Sequence, residues 1–188
     1  AGYIINNFYD AKIDSINRPL KTGIDNYVHQ TTKLKLYFVL NTLGFGFGVL
    51  ISWRAALFFA VYIFSIWFYS HKLKKYLFLK VISATVLTIM PFFAVFIYFE
   101  SFSKIILVHA SFLFLLLMVR EFIKDLQNLK GLIVGNYKTF PVYYGEKKTK
   151  QVSLLLLMFT LLPVAILLNY KGLGAMRYYF YFTLVVLP

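Results

Sequence analysis

The sequence predicts an all-α fold, a polytopic transmembrane helical bundle, on three observations. Apolar residues make up 60% of the 188 and charged residues only 14%, whereas a soluble domain carries about a quarter of its residues as charge. Mean hydropathy is +0.71. The apolar residues gather in long runs without the period-2 alternation of a membrane β-barrel.

The elements follow in order. Ala1–Ile5 reads as the end of a helix that continues into polar sequence. Five apolar runs come next: Leu36–Ser52, Ala55–Ser70, Val81–Phe99, Ile105–Val119 and Val152–Asn169. With flanking residues, each is long enough to cross about 30 Å of hydrocarbon. A last run, Tyr178–Pro188, reads as a second partial helix. Residues 1–188 are therefore expected to form one membrane domain, a fragment incomplete at both ends. Pro91 and Pro163 fall inside runs and predict kinks. Gly44, Gly46 and Gly48 are read as small residues for close helix packing, since no Lys-Ser/Thr follows to make a phosphate loop. His109 within a run is read as a structural histidine, with a proton relay as the alternative.

Charge sets the expected topology. The polar connections are 6–35, 52–54, 71–80, 100–104, 120–151 and 170–177, and sixteen of the twenty Lys+Arg lie on the first, third and fifth. This alternation is the positive-inside pattern and places those three connections in the cytoplasm, in a plasma or inner membrane. It also accounts for the net charge of +13 through anionic lipid headgroups, without nucleic acid as a partner. The run Lys147–Lys150 is read in the same way, as a surface anchor.

There is no cysteine, and the three histidines have no metal-ligand spacing. Thiol chemistry, iron–sulfur clusters and Cys- or His-rich zinc sites are excluded. Six of the seven acids lie on the expected cytoplasmic side. Four form pairs at i,i+4: Asp10 with Asp14, and Glu121 with Asp125. Asn6, Asp10 and Asp14 repeat every four residues, and Glu121, Asp125 and Asn128 fall at i, i+4 and i+7, so each set is expected on one helix face. Like charges at this spacing repel, and ionisable groups at membrane ends are usually functional. An oxygen-only ligand set favours Mg²⁺ together with substrate phosphates. The alternative is that the acids are solvated and pair with Lys12, Arg18 or Lys124.

These stretches resemble a known family. Ala1–Gly23, containing Asn6-Asn7-Phe8-Tyr9-Asp10 through Asp14 and then Asn17-Arg18-Pro19-Leu20, is similar to the first signature of the UbiA-type membrane prenyltransferases. Arg120–Gly145 resembles their second signature, and Tyr69-Ser70-His71-Lys72-Leu73-Lys74 a shorter element between them. The second signature looks most like the branch that prenylates a glycerol-phosphate lipid precursor.

The resemblance implies nine helices around a cavity, with seven represented here and two of those partial. The first helix, most of the second, the end of the eighth and the ninth would lie beyond this sequence. It implies Mg²⁺-dependent transfer of a prenyl group from a prenyl diphosphate to a hydrophobic or lipid-phosphate acceptor. The metal set carried over is Asn6, Asp10 and Asp14 with Glu121, Asp125 and Asn128. Asp10, Asp14, Asp125 and Tyr69 are the expected catalytic residues, Tyr69 holding an allylic cation on its ring face. Asn6, Arg18, Lys74 and Lys138 are the expected diphosphate contacts, and for each of the three basic residues plain membrane anchoring is the alternative.

Two positions depart from the pattern. Asn7 stands where the family has its first Asp, and Leu132 stands after Gly131 where an Asp is expected, on the face meant for metal. These departures keep open a non-catalytic isoprenoid- or partner-binding protein of the same fold. A transporter or channel is disfavoured because the acids gather at one membrane face.

Overall fold

The computed structural model describes residues 1–100, 103–170, 172 and 174–186. Parts of the expected connections 100–104 and 170–177, and the last two residues of the run Tyr178–Pro188, lie outside the described residues. Those residues fold as α1 (Gly2–Asn17), α2 (Pro19–Asp25), α3 (Gln30–Ile51), α4 (Trp53–His71), α5 (Leu77–Tyr98), α6 (Lys104–Gln127), α7 (Leu129–Val134), α8 (Phe140–Phe159), α9 (Leu161–Asn169) and α10 (Met176–Val186). A short 3₁₀ turn, Leu73–Lys75, joins α4 to α5.

Among the described residues, five segments are long and apolar enough to span a membrane: Gln30–Ile51, Trp53–Lys75, Leu77–Tyr98, Lys104–Gln127 and Phe140–Asn169. All five apolar runs are recovered, and the helices extend beyond them. The expected loop 120–151 is thus mostly helical, because polar residues continue a helix readily once it leaves the hydrocarbon. Residues 2–5 and 178–186 of the two terminal runs fall within α1 and α10.

The two prolines act through the carbonyls they leave unpaired. Pro91 in α5 cannot bond the carbonyl of Leu87, and the Tyr62 hydroxyl of α4 donates to that carbonyl at 3.2 Å. Pro163 would crowd the carbonyl of Phe159, and α8 ends at Phe159 before α9 begins at Leu161. Gly48 behaves as expected: a Cβ there would lie 2.7 Å from the Phe59 ring of α4, whereas at Gly44 and Gly46 it would meet nothing within 4 Å. The His109 ring packs edge-on against Phe180, 5.3 Å between centroids. Phe180 lies in a buried cluster with Phe112, Val164 and Leu167 that ties α10 to α6 and α9.

The helices stack mostly in sequence, α3 on α4, α4 on α5, α5 on α6 and α6 on α8, with α1 against α4 and α7. Outward faces carry exposed Phe47, Leu50, Leu57, Leu154 and Leu162, as a surface solvated by lipid should. The two ends of the bundle differ as the charges imply. At one end Arg54 pairs with Glu100 at 3.2 Å, joining connections 52–54 and 100–104. At the other, the Lys138 N–H donates to the Lys75 carbonyl at 3.0 Å, joining connections 120–151 and 71–80.

Candidate active site

The site is built where α1, the α4–α5 connection and the end of α6 meet. Asn17 makes the join. Its amide nitrogen donates to the Asn128 carbonyl at 3.1 Å, and its oxygen accepts from the Gly131 N–H at 3.0 Å. This fit needs glycine at 131, since a Cβ there would lie 2.8 Å from the backbone oxygen of Ile13. The asparagine of the Asn17-Arg18-Pro19-Leu20 motif thus holds the first motif against the second.

Around that join, one short connector supplies a lysine to each acidic motif. Lys74, 2% exposed, donates to Asp10 at 2.6 Å and to Asn6 Oδ1 at 3.4 Å, and lies 5.6 Å from the centre of the Tyr9 ring. Lys80, one turn into α5, pairs with Asp125 of α6, which is 0% exposed. Tyr69, near the end of α4, feels the carboxylates of both motifs, Glu121 and Asp125 of the second and Asp10 of the first, and also Tyr137. Tyr137 is placed by the end of α7: Asn136 adopts φ 57, a left-handed conformation that Asn tolerates, and the Tyr137 N–H closes onto the Leu132 carbonyl at 3.0 Å. Burial, and then the Asp10 carboxylate, push the Tyr137 hydroxyl up to about 12, so it remains a neutral donor at any physiological pH.

Both motif-bearing ends belong to one polar centre flanked by apolar surface. An open groove of about 540 Å³, lined by Ile5, Phe8, Tyr9, Tyr37 and Trp67 among others, starts at the ring that Lys74 faces.

The sequence profile of the UbiA prenyltransferase family matches residues 1–188. The chain belongs to that family. This UbiA-family chain is 29% identical over 160 residues to the digeranylgeranylglyceryl phosphate synthase of Sulfurisphaera tokodaii, covering 84% of the chain and 57% of the relative. It is 29% identical over 155 residues to the protein of that name from Thermococcus gammatolerans, covering 81% and 55%. For the Saccharolobus solfataricus protein the identity is 25% over 163 residues, covering 86% and 58%. The chain therefore spans little more than half the length of these relatives. No solved structure matches it.

Within the UbiA-family chain the expected residues divide. Asn6, Asp10, Tyr69, Lys74, Glu121 and Asp125 come together. Asp14 does not share their direction. At 3.6 residues per turn each i+4 step drifts about 40°, which puts Asp14 about 80° from Asn6 but only about 20° from Asn7. Asp14 accordingly pairs with Lys21 of α2 at 3.1 Å, beside Asn7, whose amide donates to Asp25 at 3.3 Å. Burial alone would lower the Lys21 ammonium, but its hydrogen bonds to Tyr3 and Asp14 raise it overall.

Arg18 caps α1 and faces an outer groove with Arg120, Ile123, Lys124 and Gln127. Lys138 is exposed, and its backbone N–H makes the contact described above. Asn128 ends α6 and contributes its carbonyl. Leu132 is not on a metal-facing surface. The helix breaks at Asn128, and Leu132, 3% exposed, packs with Ile13 and Tyr137.

Lys80, Asn17 and Tyr137 were not singled out by sequence. One signal for Lys80 was available: a lone lysine set in the apolar stretch Leu77-Phe78-Leu79-Lys80-Val81-Ile82 needs a buried partner.

A divalent cation fits what remains open. Glu121 Oε2 and Asp125 Oδ2 are buried without a hydrogen-bond partner, and Lys124 approaches Glu121 Oε2 only to 3.8 Å. Among the described residues no three acids or histidines cluster closely enough to cage an ion. One or two carboxylates plus phosphate oxygens is the usual Mg²⁺ arrangement.

Proposed function

We propose that this chain carries out Mg²⁺-dependent transfer of a prenyl group from a prenyl diphosphate to a lipid-soluble acceptor, with the polar centre at the cytoplasmic face of the membrane. The observation that carries this reading is that Asp10 of the first motif and Glu121 and Asp125 of the second all act on Tyr69, with Lys74 on Asp10 and Lys80 on Asp125. The names of the relatives support a long isoprenyl diphosphate as donor and a prenylated glycerol phosphate as acceptor.

In the reaction the allylic C–O bond breaks and the diphosphate leaves with the electron pair. The acceptor oxygen then bonds to the allylic carbon and releases its proton, giving an ether. Asn6, Asp10, Glu121 and Asp125 are the residues that would hold the ion. When bound, Mg²⁺ supplies Lewis acidity toward the leaving diphosphate.

The chain's own groups do the rest. Lys74 is already buried and desolvated, and it needs only to exchange Asp10 for phosphate oxygens to stabilise the charge that develops there. Tyr69 is the ring that would hold positive charge left on the isoprenoid. The apolar groove beginning at Tyr9 suits the hydrocarbon tail of a donor whose head lies at Lys74.

A second reading, an isoprenoid- or partner-binding protein without turnover, is favoured by Asn7, whose side chain is engaged by Asp25 and, at 3.5 Å, by Lys21. Incubation with labelled geranylgeranyl diphosphate, Mg²⁺ and a panel of acceptors that includes geranylgeranylglyceryl phosphate separates the two. The proposal expects a labelled ether lipid. Saturable donor binding with no product across the panel would favour the second reading.

A further inference from the structure

We propose that the Tyr137 hydroxyl is a further ligand-binding group of the site, a neutral donor that hydrogen-bonds to an oxygen of the donor's diphosphate. This rests on the diphosphate reading above and deepens it by one residue that is neither acidic nor basic.

Three observations converge. The first is how firmly the phenol is placed. The Gly135 N–H closes on the Gly131 carbonyl at 2.8 Å, Asn136 turns the backbone with φ 57, and the Tyr137 N–H returns to the Leu132 carbonyl. The next residue is tied to a different element, since the Lys138 N–H donates to the carbonyl of Lys75, the neighbour of Lys74. The ring lies against the Gly135 backbone, where a Cβ would sit 3.2 Å from Tyr137 Cδ2, and it packs with Leu132 and with Ile13 of α1. Ile13 follows Asp10 by three positions, so the two share one face of that helix. The phenol is thus brought against α1 at the turn that carries Asp10, and the Asp10 carboxylate acts on its hydroxyl.

The second is what the hydroxyl lacks. Tyr137 is 7% exposed, and a buried phenol usually finds a hydrogen-bond partner. Tyr62 does, donating to the Leu87 carbonyl. The cluster around Tyr137, formed by Ile13, Leu132 and Val142, is apolar, and among the described residues the Tyr137 hydroxyl makes no hydrogen bond. Phe would fill this cluster without leaving a donor unpaired. The packing uses the ring, and the hydroxyl is left for a group that arrives at the site.

The third is the company it keeps. Lys74 already donates to Asp10 Oδ1 and Asn6 Oδ1, so a cationic donor and a neutral one both serve the Asp10 region. A ligand that can use both at once carries several acceptor oxygens on one centre, as a phosphate does. Burial, and then the Asp10 carboxylate, keep the proton on the phenol, which suits it to donate to an anionic oxygen and not to take up the acceptor's proton. Of the two phosphate-bearing molecules in the proposed reaction, the diphosphate is the one that Lys74 draws to Asp10. As the allylic C–O bond breaks, the leaving diphosphate becomes the stronger acceptor, and its hydrogen bond from Tyr137 strengthens with it.

The test reads binding and does not rely on turnover. Inorganic pyrophosphate with Mg²⁺ is titrated calorimetrically into the full chain in detergent, for the wild type, Tyr137→Phe and Lys74→Met, with glycerol phosphate titrated in parallel. Pyrophosphate should bind Tyr137→Phe about 10- to 100-fold more weakly than the wild type, the cost of a hydrogen bond to a charged group. Glycerol phosphate binding and the thermal midpoint should not change. Unchanged pyrophosphate affinity in Tyr137→Phe overturns the assignment. The diphosphate reading survives that result when Lys74→Met weakens binding, and falls with it when Lys74→Met binds as the wild type does. A loss confined to glycerol phosphate also overturns the assignment, since the hydroxyl would then serve the acceptor. So does a Tyr137→Phe chain that melts well below the wild type, because the hydroxyl would then hold the fold. Absence of pyrophosphate binding to the wild type overturns both.

Discussion

The Lys74 ammonium lies 2.6 Å from the Asp10 carboxylate, and the lysine is only 2% exposed. Asp10 belongs to α1 and Lys74 to the turn after α4, so on the proposed function this contact marks where a diphosphate would meet the first motif. Lys74→Met should lower kcat/KM for the prenyl diphosphate by about 10²–10³, the usual cost of one preorganised electrostatic donor. Lys74→Arg should recover part of it. Circular dichroism and gel filtration in detergent should show both variants folded, because Asp10 is partly solvated. Wild-type turnover in Lys74→Met would remove this residue from the site.

Leu132 provides a test of register. Since it packs with Ile13 and Tyr137, Leu132→Asp should bury an uncompensated charge and cost about 3–5 kcal/mol. Thermal unfolding in detergent should show this loss. Whatever activity survives should keep the Mg²⁺ requirement of the wild type. A folded Leu132→Asp with a lowered Mg²⁺ requirement would place the residue at the metal after all.

Tyr62 makes a prediction about the fold alone. Its hydroxyl satisfies the Leu87 carbonyl freed by Pro91, and Tyr62→Phe should cost about 1 kcal/mol, as expected for a half-buried acceptor left unpaired. Tyr62→Phe combined with Pro91→Ala should recover most of that loss, because the helix then supplies its own N–H. Equal destabilisation in the single and double variants would show that the hydroxyl does something else.

Orientation is open to thiol labelling because the chain has no cysteine. An impermeant reagent added to intact cells should reach Glu100→Cys and miss Asn26→Cys and Glu146→Cys. Labelling at 26 and 146 from outside would put the polar centre on the other face.

The sequence showed which segments would be helices and which end of the bundle would be polar, because lipid demands long apolar runs and charge bias follows orientation. It also held most of the candidate site, since Asn6, Asp10, Tyr69, Lys74, Glu121 and Asp125 lie inside ordered motifs. What it hid depends on three-dimensional rotation and on distant partners. Asp14 was assigned to the face of Asn6 because i+4 spacing was extended over two steps without its drift. Leu132 was assigned by continuing a helix that breaks at Asn128. Lys80 was counted among anchoring charges, and its partner is 45 residues away, beyond any local pattern.

The central claim is that the two acidic motifs act as one site on one diphosphate, and a double-mutant cycle on kcat/KM tests it most directly. Asp10→Asn and Glu121→Gln each remove one carboxylate from opposite motifs. If both act on the same leaving group, each single variant should lose orders of magnitude, and the double variant should be little worse than the poorer single one, because residues that work as a unit are not additive. Losses that multiply cleanly, or a Glu121→Gln protein with wild-type activity, would contradict a shared site.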